Sequence, residues 1–141
     1  MIAYFDTSAL IKLVITEAGA VQARLLWQQA SEIVLSRLAW AEALAALAAA
    51  RRGRRLTDAS HAAAVDVIRG CFARSAVIGV ADRLVDHAAG LAAGYDLRAA
   101  DAIHLATALA AMEADSVFVT WDKRLQQAAV QAGLVTAPAG S

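Results

Sequence analysis

The chain is poor in charge and has no net charge of either sign. It has 141 residues, and charged side chains make up 18% of them, whereas average domains carry about 25%. Its 13 basic and 13 acidic residues cancel at neutral pH. No global field therefore attracts the protein to nucleic acid or to a membrane surface, and a polyanionic partner must be met by a local patch.

Cysteine and long apolar runs are also scarce. Cys71 is the only cysteine, so an internal disulfide is excluded, and a small buried hydrophobe in a reducing compartment is expected. The N-terminus has no basic segment before its first short apolar run, so no secretory signal is expected. The apolar stretch 38–50 contains Glu42 and is too short to span a bilayer. We therefore expect a cytoplasmic protein that is not bound to a membrane.

Hydrophobic residues make up 60% of the chain and form short β-rich runs between longer helical runs. Strands are predicted at 2–5, 32–36, 76–80, 116–120 and 134–136, and helices at 8–14, 18–30, 38–52, 57–72, 82–93, 97–112 and 122–132. We expect Asp82 to cap one helix, and Gly94 and Gly133 to end two others. The alternation predicts an α/β fold with a mainly parallel sheet covered on both faces. One domain is expected over 1–135, followed by a flexible tail over 136–141.

Two acidic residues lie just past the ends of predicted strands. Asp6 comes after IAYF and Asp122 after VFVTW, and ligands bind at this edge of open parallel sheets. Helix capping explains either residue alone equally well, because an Asp before a helix accepts a backbone N–H bond. Thr7 and Ser8 can cap the first helix instead, which would leave Asp6 available for a ligand.

Two more acids lie inside predicted helices. Glu42 is the only charged residue between Leu38 and Ala50, so nothing in that stretch pairs with it; simple exposure on an alanine-rich helix is the alternative. Asp101 shares an apolar stripe with His104, one turn later. A carboxylate on such a stripe needs a partner. His104 is the candidate partner, and we read it as a satisfied core histidine rather than a metal ligand.

Convergence of these four carboxylates would be costly without a cation. Two like charges 4 Å apart repel by about 4 kcal/mol at an effective dielectric constant near 20. Several such pairs would cancel the ~5–15 kcal/mol by which a small domain is stable. Either some of the acids stay protonated, or a divalent cation neutralises them. Oxygen ligands suit Mg²⁺ or Mn²⁺, and such ions promote attack of water on a phosphodiester.

Four segments of the sequence resemble those of a known family. YFDTSALIKL, LAWAEALAAL, LRAADAIHLATAL and VFVTWDKRL are similar, in this order, to the PIN-domain ribonucleases, and particularly to the VapC toxins of type II toxin–antitoxin modules. The resemblance implies a three-layer α/β/α PIN-like fold with a short five-stranded sheet. It also implies an endoribonuclease that uses Mg²⁺ or Mn²⁺ and a metal-activated water to leave 5′-phosphate and 3′-hydroxyl ends.

The same resemblance assigns roles residue by residue. The catalytic acids that it implies are Asp6, Glu42, Asp101 and Asp122. Asp6 and Asp101 are then the direct metal ligands, while Glu42 and Asp122 act through water or hold a second ion. Thr120 and Ser8 match hydroxyl positions beside the acids, with auxiliary roles.

Basic residues near these acids are candidates for binding RNA. The RRGRR segment contributes Arg51, Arg52, Arg54 and Arg55, which are suited to phosphate contacts, although a solvated loop explains them equally well. Lys12 is a further candidate, with a surface position as its alternative. Lys123 and Arg124, beside Asp122, are candidates of the same kind.

Partners follow only from the resemblance, which implies a homodimer and a cognate VapB-type antitoxin. The antitoxin tail would pack on apolar grooves that Trp27 and Trp40 are able to line. Core packing is the favoured reading of both tryptophans.

Other readings of the first acid fit less well. A haloacid-dehalogenase-type phosphatase needs a second Asp two residues after Asp6, where Ser8 stands. A response-regulator receiver needs adjacent acids near the N-terminus, where Asp6 stands alone. The non-enzyme alternative is a catalytically inactive PIN-like module that binds RNA or protein, and the presence of all four acids argues against it.

Overall fold

A parallel sheet of five strands forms the centre of the computed structural model, which describes residues 1–139. The strands are β1 (Ile2–Phe5), β2 (Glu32–Ser36), β3 (Ala76–Ile78), β4 (Ser116–Val119) and β5 (Thr136–Ala137). Their order is β3-β2-β1-β4-β5, and every neighbouring pair is parallel. The first strand of the chain is therefore the central one.

Seven helices surround this sheet within the described residues. They are α1 (Thr7–Ile11), α2 (Ala20–Gln29), α3 (Leu38–Arg52), α4 (Asp58–Ala73), α5 (Asp82–Tyr95), α6 (Ala99–Ala111) and α7 (Lys123–Gln131). None of the helices in residues 1–139 is both long and apolar enough to cross a membrane.

The sheet separates two hydrophobic cores. Successive residues of a strand point to opposite faces, so Phe5 packs with α1, α3 and α4, whereas Tyr4 packs with α5, α6 and α7. This arrangement confirms the predicted three-layer α/β/α fold with a five-stranded parallel sheet. All five strands end at one edge, and Asp6, Arg37 and Thr120 directly follow β1, β2 and β4 there.

The predicted ends of α5 were wrong. The N-cap is Ala81, in extended conformation, so Asp82 lies in the first helical turn instead of capping it. The helix also continues through Gly94 to Tyr95, and Asp96 adopts the left-handed conformation at φ 53°. Asp tolerates this conformation better than most residues, so a glycine was not needed there. Gly133 does take the left-handed conformation after α7, at φ 97°.

The last strand lies slightly later than predicted. Thr136 and Ala137 pair with Phe118 and Val119, and the Thr120 N–H donates to the Ala137 carbonyl at 3.0 Å. The sheet therefore extends two residues past the predicted domain end at 135. Residues 140–141 of the predicted tail lie outside the described residues.

Candidate active site

Asp6 is a buried carboxylate held by three donors. Its side chain is almost entirely enclosed, with the residue 3% exposed. Oδ1 accepts from Ser8 Oγ at 2.7 Å and from the Ala9 N–H at 3.0 Å, and Oδ2 accepts from Thr120 Oγ1 at 2.5 Å. Burial raises the pKa of Asp6 even though these hydrogen bonds act in the opposite direction. The site therefore contains an oriented carboxylate whose negative charge a nearby cation would stabilise.

Capping and site formation are not alternatives at this position. The bond from Ala9 makes Asp6 the N-cap of α1, and Asp122 likewise caps α7 by accepting from the Leu125 N–H at 3.0 Å. Each cap engages Oδ1 alone. The second oxygen of each residue meets a different partner: Asp6 Oδ2 accepts from Thr120 Oγ1, and Asp122 Oδ2 lies 3.9 Å from Arg98 Nη2.

Two hydroxyl groups tie the ends of β1 and β4 together. Thr120 Oγ1 donates to Asp6 and accepts from the Asp122 N–H at 3.0 Å. Ser8 Oγ donates to Asp6 and accepts from the Trp121 N–H at 3.0 Å. Both hydroxyls use their donor and acceptor capacity, so they fix the backbone of 120–122 relative to Asp6.

Asp101 and Asp122 face each other across an arginine. Arg98 Nε lies 3.4 Å from Asp101 Oδ2, and Arg98 Nη2 lies 3.9 Å from Asp122 Oδ2. The Arg98 side chain is 80% exposed, so it is only weakly held between the acids. These three residues and Arg124 line a cavity of about 330 Å³. The single positive charge of the guanidinium offsets part of the negative charge of the two carboxylates.

Glu42 belongs to a hydrogen-bonded network that reaches into the core. Its Oε1 accepts from Thr7 Oγ1 and lies 2.7 Å from each of Thr7 Oγ1 and His104 Nε2. His104 Nδ1 lies 2.7 Å from the Tyr4 hydroxyl. Burial raises the pKa of Tyr4 well above its usual value, so the neutral phenol donates to Nδ1. Nε2 then carries the imidazole hydrogen and donates it to Glu42.

This network keeps Glu42 ionised. Partial burial alone would disfavour the charge, but the hydrogen bonds from His104 and Thr7 outweigh it and lower the pKa of Glu42. His104 is thus a satisfied core histidine, as expected, but the suggested bond to Asp101 was wrong. The two residues lie one turn apart on α6, yet Tyr4 from β1 orients the ring toward Glu42.

The acids form a connected chain around the sheet edge rather than one cluster. Thr120 links Asp6 to the Asp122 backbone, and Arg98 links Asp122 to Asp101. Thr7, next to Asp6, binds Glu42. In residues 1–139, no group of three or more His, Cys, Asp or Glu side chains is close enough to hold a metal ion.

The donor chemistry nevertheless fits a hard divalent cation. Mg²⁺ keeps several water ligands and is commonly bound through one or two carboxylates, so it needs no cage of three acids. Carboxylates and hydroxyls are the oxygen donors that Mg²⁺ and Mn²⁺ prefer. The His104 nitrogens are both engaged by Tyr4 and Glu42, so oxygen is the donor type available at this edge.

A groove of about 400 Å³ adjoins these acids. It is lined by Thr7, Ser8, Ile11, Lys12, Glu17, Ala46, Trp121 and Asp122. Lys12 Nζ donates to Glu17 Oε1 at 3.1 Å and to the Ala18 carbonyl at 2.8 Å, and it lies 5.2 Å from the centre of the Trp121 ring. Lys12 is therefore largely buried and lines the groove, and it is not a free surface residue.

The RRGRR segment lies at and beyond the C-terminal end of α3, whereas Glu42 lies near the start of that helix. Arg51 and Arg52 end α3, and Arg54 and Arg55 follow in the next turn, all of them exposed. Glu42 precedes Arg51 by nine positions on the same helix, which corresponds to about 14 Å along its axis.

The roles of Arg98 and Tyr4 in the site were not predicted from the sequence. Arg98 was detectable, because it precedes Asp101 by three positions, a spacing at which helical side chains meet. Tyr4 gave no such signal, because a tyrosine in a buried strand is ordinary and its partner His104 is 100 positions away.

Comparison with known proteins identifies the family. Residues 3–131 match the PIN domain family. The chain is 41% identical over 136 residues to "Ribonuclease VapC45" and "Ribonuclease VapC49" of Mycobacterium tuberculosis, with 96% of this chain and 94% of each relative covered.

Solved structures share the fold. The structure of Mycobacterium tuberculosis VapC20, a "Sarcin-Ricin loop cleaving toxin", has a TM-score of 0.70 at 19% identity, covering 94% of this chain and 96% of that one. A toxin–antitoxin complex from Klebsiella pneumoniae has a TM-score of 0.60 at 23% identity, covering 85% and 86%. With the family match over nearly its whole length and its 41% identity to VapC ribonucleases, this chain belongs to the PIN-domain family.

Proposed function

We propose that the protein is a metal-dependent endoribonuclease and the toxin of a type II toxin–antitoxin module. The observation that carries this proposal is its 41% identity, over 96% of the chain, to proteins named ribonucleases. The buried, triply hydrogen-bonded Asp6 at the carboxyl edge of the sheet supports it. Hydrolysis of RNA phosphodiester bonds is the reaction that such a site suits.

Asp6 and Asp101 are the proposed direct ligands of Mg²⁺ or Mn²⁺, with Glu42 and Asp122 acting through water or a second ion. When bound, the ion supplies Lewis-acid polarisation of the phosphate and lowers the pKa of a water molecule. Ser8 and Thr120 hold Asp6 in one orientation, and Arg98 offsets part of the negative charge of Asp101 and Asp122.

The remaining side chains have simpler proposed tasks. Glu42, kept ionised by His104 and Thr7, accepts a proton or a water hydrogen bond at the edge.

Exposed Arg98 and Arg124 line the cavity beside the acids, where they suit an incoming phosphodiester. Lys12 lines the adjoining groove. Arg51, Arg52, Arg54 and Arg55 are proposed as outer phosphate contacts, because they are exposed and concentrate positive charge.

An antitoxin partner and a homodimer are also proposed. The fold is shared with a chain of the Klebsiella pneumoniae toxin–antitoxin complex, which supports a protein inhibitor that covers the site. A VapB-type chain with a basic side chain directed at Asp6 and Asp101 would complement their charge.

Cleavage of a labelled RNA by the purified full-length chain tests the activity. We expect cleavage with Mg²⁺ or Mn²⁺, none with EDTA, and 5′-phosphate ends that a ligase can join. The variants Asp6→Asn and Asp101→Asn should lose the activity, whereas Asp86→Asn, an exposed acid on α5, should keep it.

Two results would contradict the proposal in different ways. Equal cleavage by Asp6→Asn and the parent would point to a contaminating nuclease. Tight RNA binding without cleavage, whichever ion is added, would favour the inactive binding module instead.

A further inference from the structure

A basic pocket lies on the side of α3 opposite Glu42. Its volume is about 320 Å³, and it is lined by Arg37, Trp40, Arg69, Phe72, Ala73 and Val77; we call it the Trp40 pocket. The Cζ atoms of Arg37 and Arg69 lie 5.7 Å and 5.4 Å from the centre of the Trp40 ring. Phe72 packs edge-on against the same ring at 5.4 Å. The pocket thus combines an aromatic surface with two guanidinium groups.

The two arginines carry charge that is not neutralised locally. In the described part of the chain, the ion pairs involve Lys12, Arg98, His104 and the N-terminus, and none involves Arg37 or Arg69. Both arginines are exposed. In a chain with zero net charge, they form a local positive patch of the kind a polyanion requires.

The Trp40 pocket is close to the candidate active site. Trp40 and Glu42 are two positions apart on α3, which is about 3 Å along the helix axis and about 200° around it. Arg37 immediately follows β2 at the sheet edge that carries Asp6. An RNA strand that crosses the N-terminal end of α3 therefore reaches Glu42 on one side of the helix and the Trp40 pocket on the other. The N-terminal end of a helix also favours the binding of phosphate.

We infer that the Trp40 pocket binds one unpaired nucleotide of the RNA substrate, outside the bond that is cut. This inference rests on the proposed ribonuclease activity. The base stacks on the surface formed by Trp40 and the guanidinium planes, and Arg37 and Arg69 bind the flanking phosphates. Unpaired nucleotides are recognised in this way, whereas bases inside a duplex are not available for stacking. An acidic peptide would satisfy the charge but would leave the aromatic surface unused.

Charge removal tests the phosphate contacts. A labelled single-stranded RNA is titrated by fluorescence anisotropy into full-length Asp6→Asn protein, which leaves the probe intact. Adding Arg37→Gln and Arg69→Gln should weaken binding and reduce the slope of log affinity against log salt by about 1.4, because each lost contact with a single strand contributes about 0.7. The matched control is Arg24→Gln with Arg83→Gln, which removes the same charge from exposed positions on α2 and α5; it should leave the slope unchanged.

Base removal tests the stacking. The Asp6→Asn protein, with Trp40 present, should bind the normal strand about 5- to 150-fold more tightly than an abasic strand of equal length, the range that stacking of one base provides. Trp40→Leu should abolish this preference, and Trp40→Phe should retain most of it. Because the preference is a ratio within one protein, partial destabilisation of a variant does not alter its meaning.

Failure of the inference is distinguishable from failure of the proposed function. An unchanged salt slope in Arg37→Gln/Arg69→Gln, or an unchanged base preference in Trp40→Leu, overturns the pocket assignment while the parent still cleaves RNA. Displacement of the RNA by an equally charged polyglutamate peptide at equal concentration also overturns it and points to an acidic protein partner. A parent that neither cleaves nor binds RNA removes the proposed function and the inference together.

Discussion

Removing the Tyr4 hydroxyl should measurably destabilise the protein. Tyr4 is fully buried, and its hydroxyl lies 2.7 Å from His104 Nδ1. In Tyr4→Phe the ring can keep its stacked position on Phe118, at 5.2 Å and 4°, so the change isolates the lost hydrogen bond. A buried acceptor left without a donor costs about 1–3 kcal/mol. For a domain of this size, that loss lowers the Tm by about 2–12 °C.

Urea unfolding at neutral pH, followed by circular dichroism, measures this free energy. Tyr95→Phe is the matched control, because Tyr95 is the second of the two tyrosines and is only partly buried. Water can reach its hydroxyl, so we expect a loss within about 0.5 kcal/mol. Equal losses in the two variants would refute the network of Tyr4, His104 and Glu42 as an energetic unit.

Three further changes test other parts of the structure. In metal-free buffer Asp6→Asn should raise the free energy of unfolding at neutral pH, because burial raises the pKa of Asp6 and so disfavours its ionised form in the folded state. This gain should shrink as the pH falls through the raised pKa, where the wild-type acid takes up its proton; pH-dependent urea titrations measure it, and a gain that grows on acidification contradicts it. Gly19→Ala and Gly133→Ala both place a side chain at positive φ, at a cost of about 1–2 kcal/mol, but only the first puts Cβ 2.6 Å from Trp121 Nε1; thermal melts should show the larger loss for Gly19→Ala. Burial raises the pKa of the Cys71 thiol, so a disulfide reagent should label it slowly until denaturant is added, and fast labelling of the native protein would contradict its buried position.

The elements that local signals define were predicted well. β1, β2 and α3 have the predicted bounds, because Asp6 and Arg37 interrupt short apolar strands, and the alanine-rich helix runs until Gly53. The start of α6 depends instead on tertiary packing. Leu97 was expected to begin that helix, but it is buried in the core before Arg98 turns the chain into α6.

The positions of the acids in the site could be predicted from the sequence, but their hydrogen-bond partners could not. Asp6 and Asp122, after β1 and β4, could be located from the strand pattern alone. Their roles as N-caps of α1 and α7 followed from the helices predicted directly after them. The pairing of His104 with Glu42 could not be predicted in this way, because the two residues are 62 positions apart, whereas Asp101 lies only three positions before His104. The guanidinium groups beside Trp40 were missed for the same reason, since Arg37 lies between β2 and α3, Arg69 lies in α4, and the two meet only in the folded chain.

The central position of β1 has a consequence during synthesis. One flank of this strand is β4, which begins at Ser116, and the hydroxyl that holds Asp6 Oδ2 belongs to Thr120. While β4 and Thr120 are still inside the ribosome, β1 lacks one of its neighbouring strands and Asp6 lacks one of its hydrogen-bond donors. The candidate active-site edge therefore forms only after β4 and Thr120 have been synthesised, and a nascent chain that stops before them cannot hold Asp6 in the orientation described above.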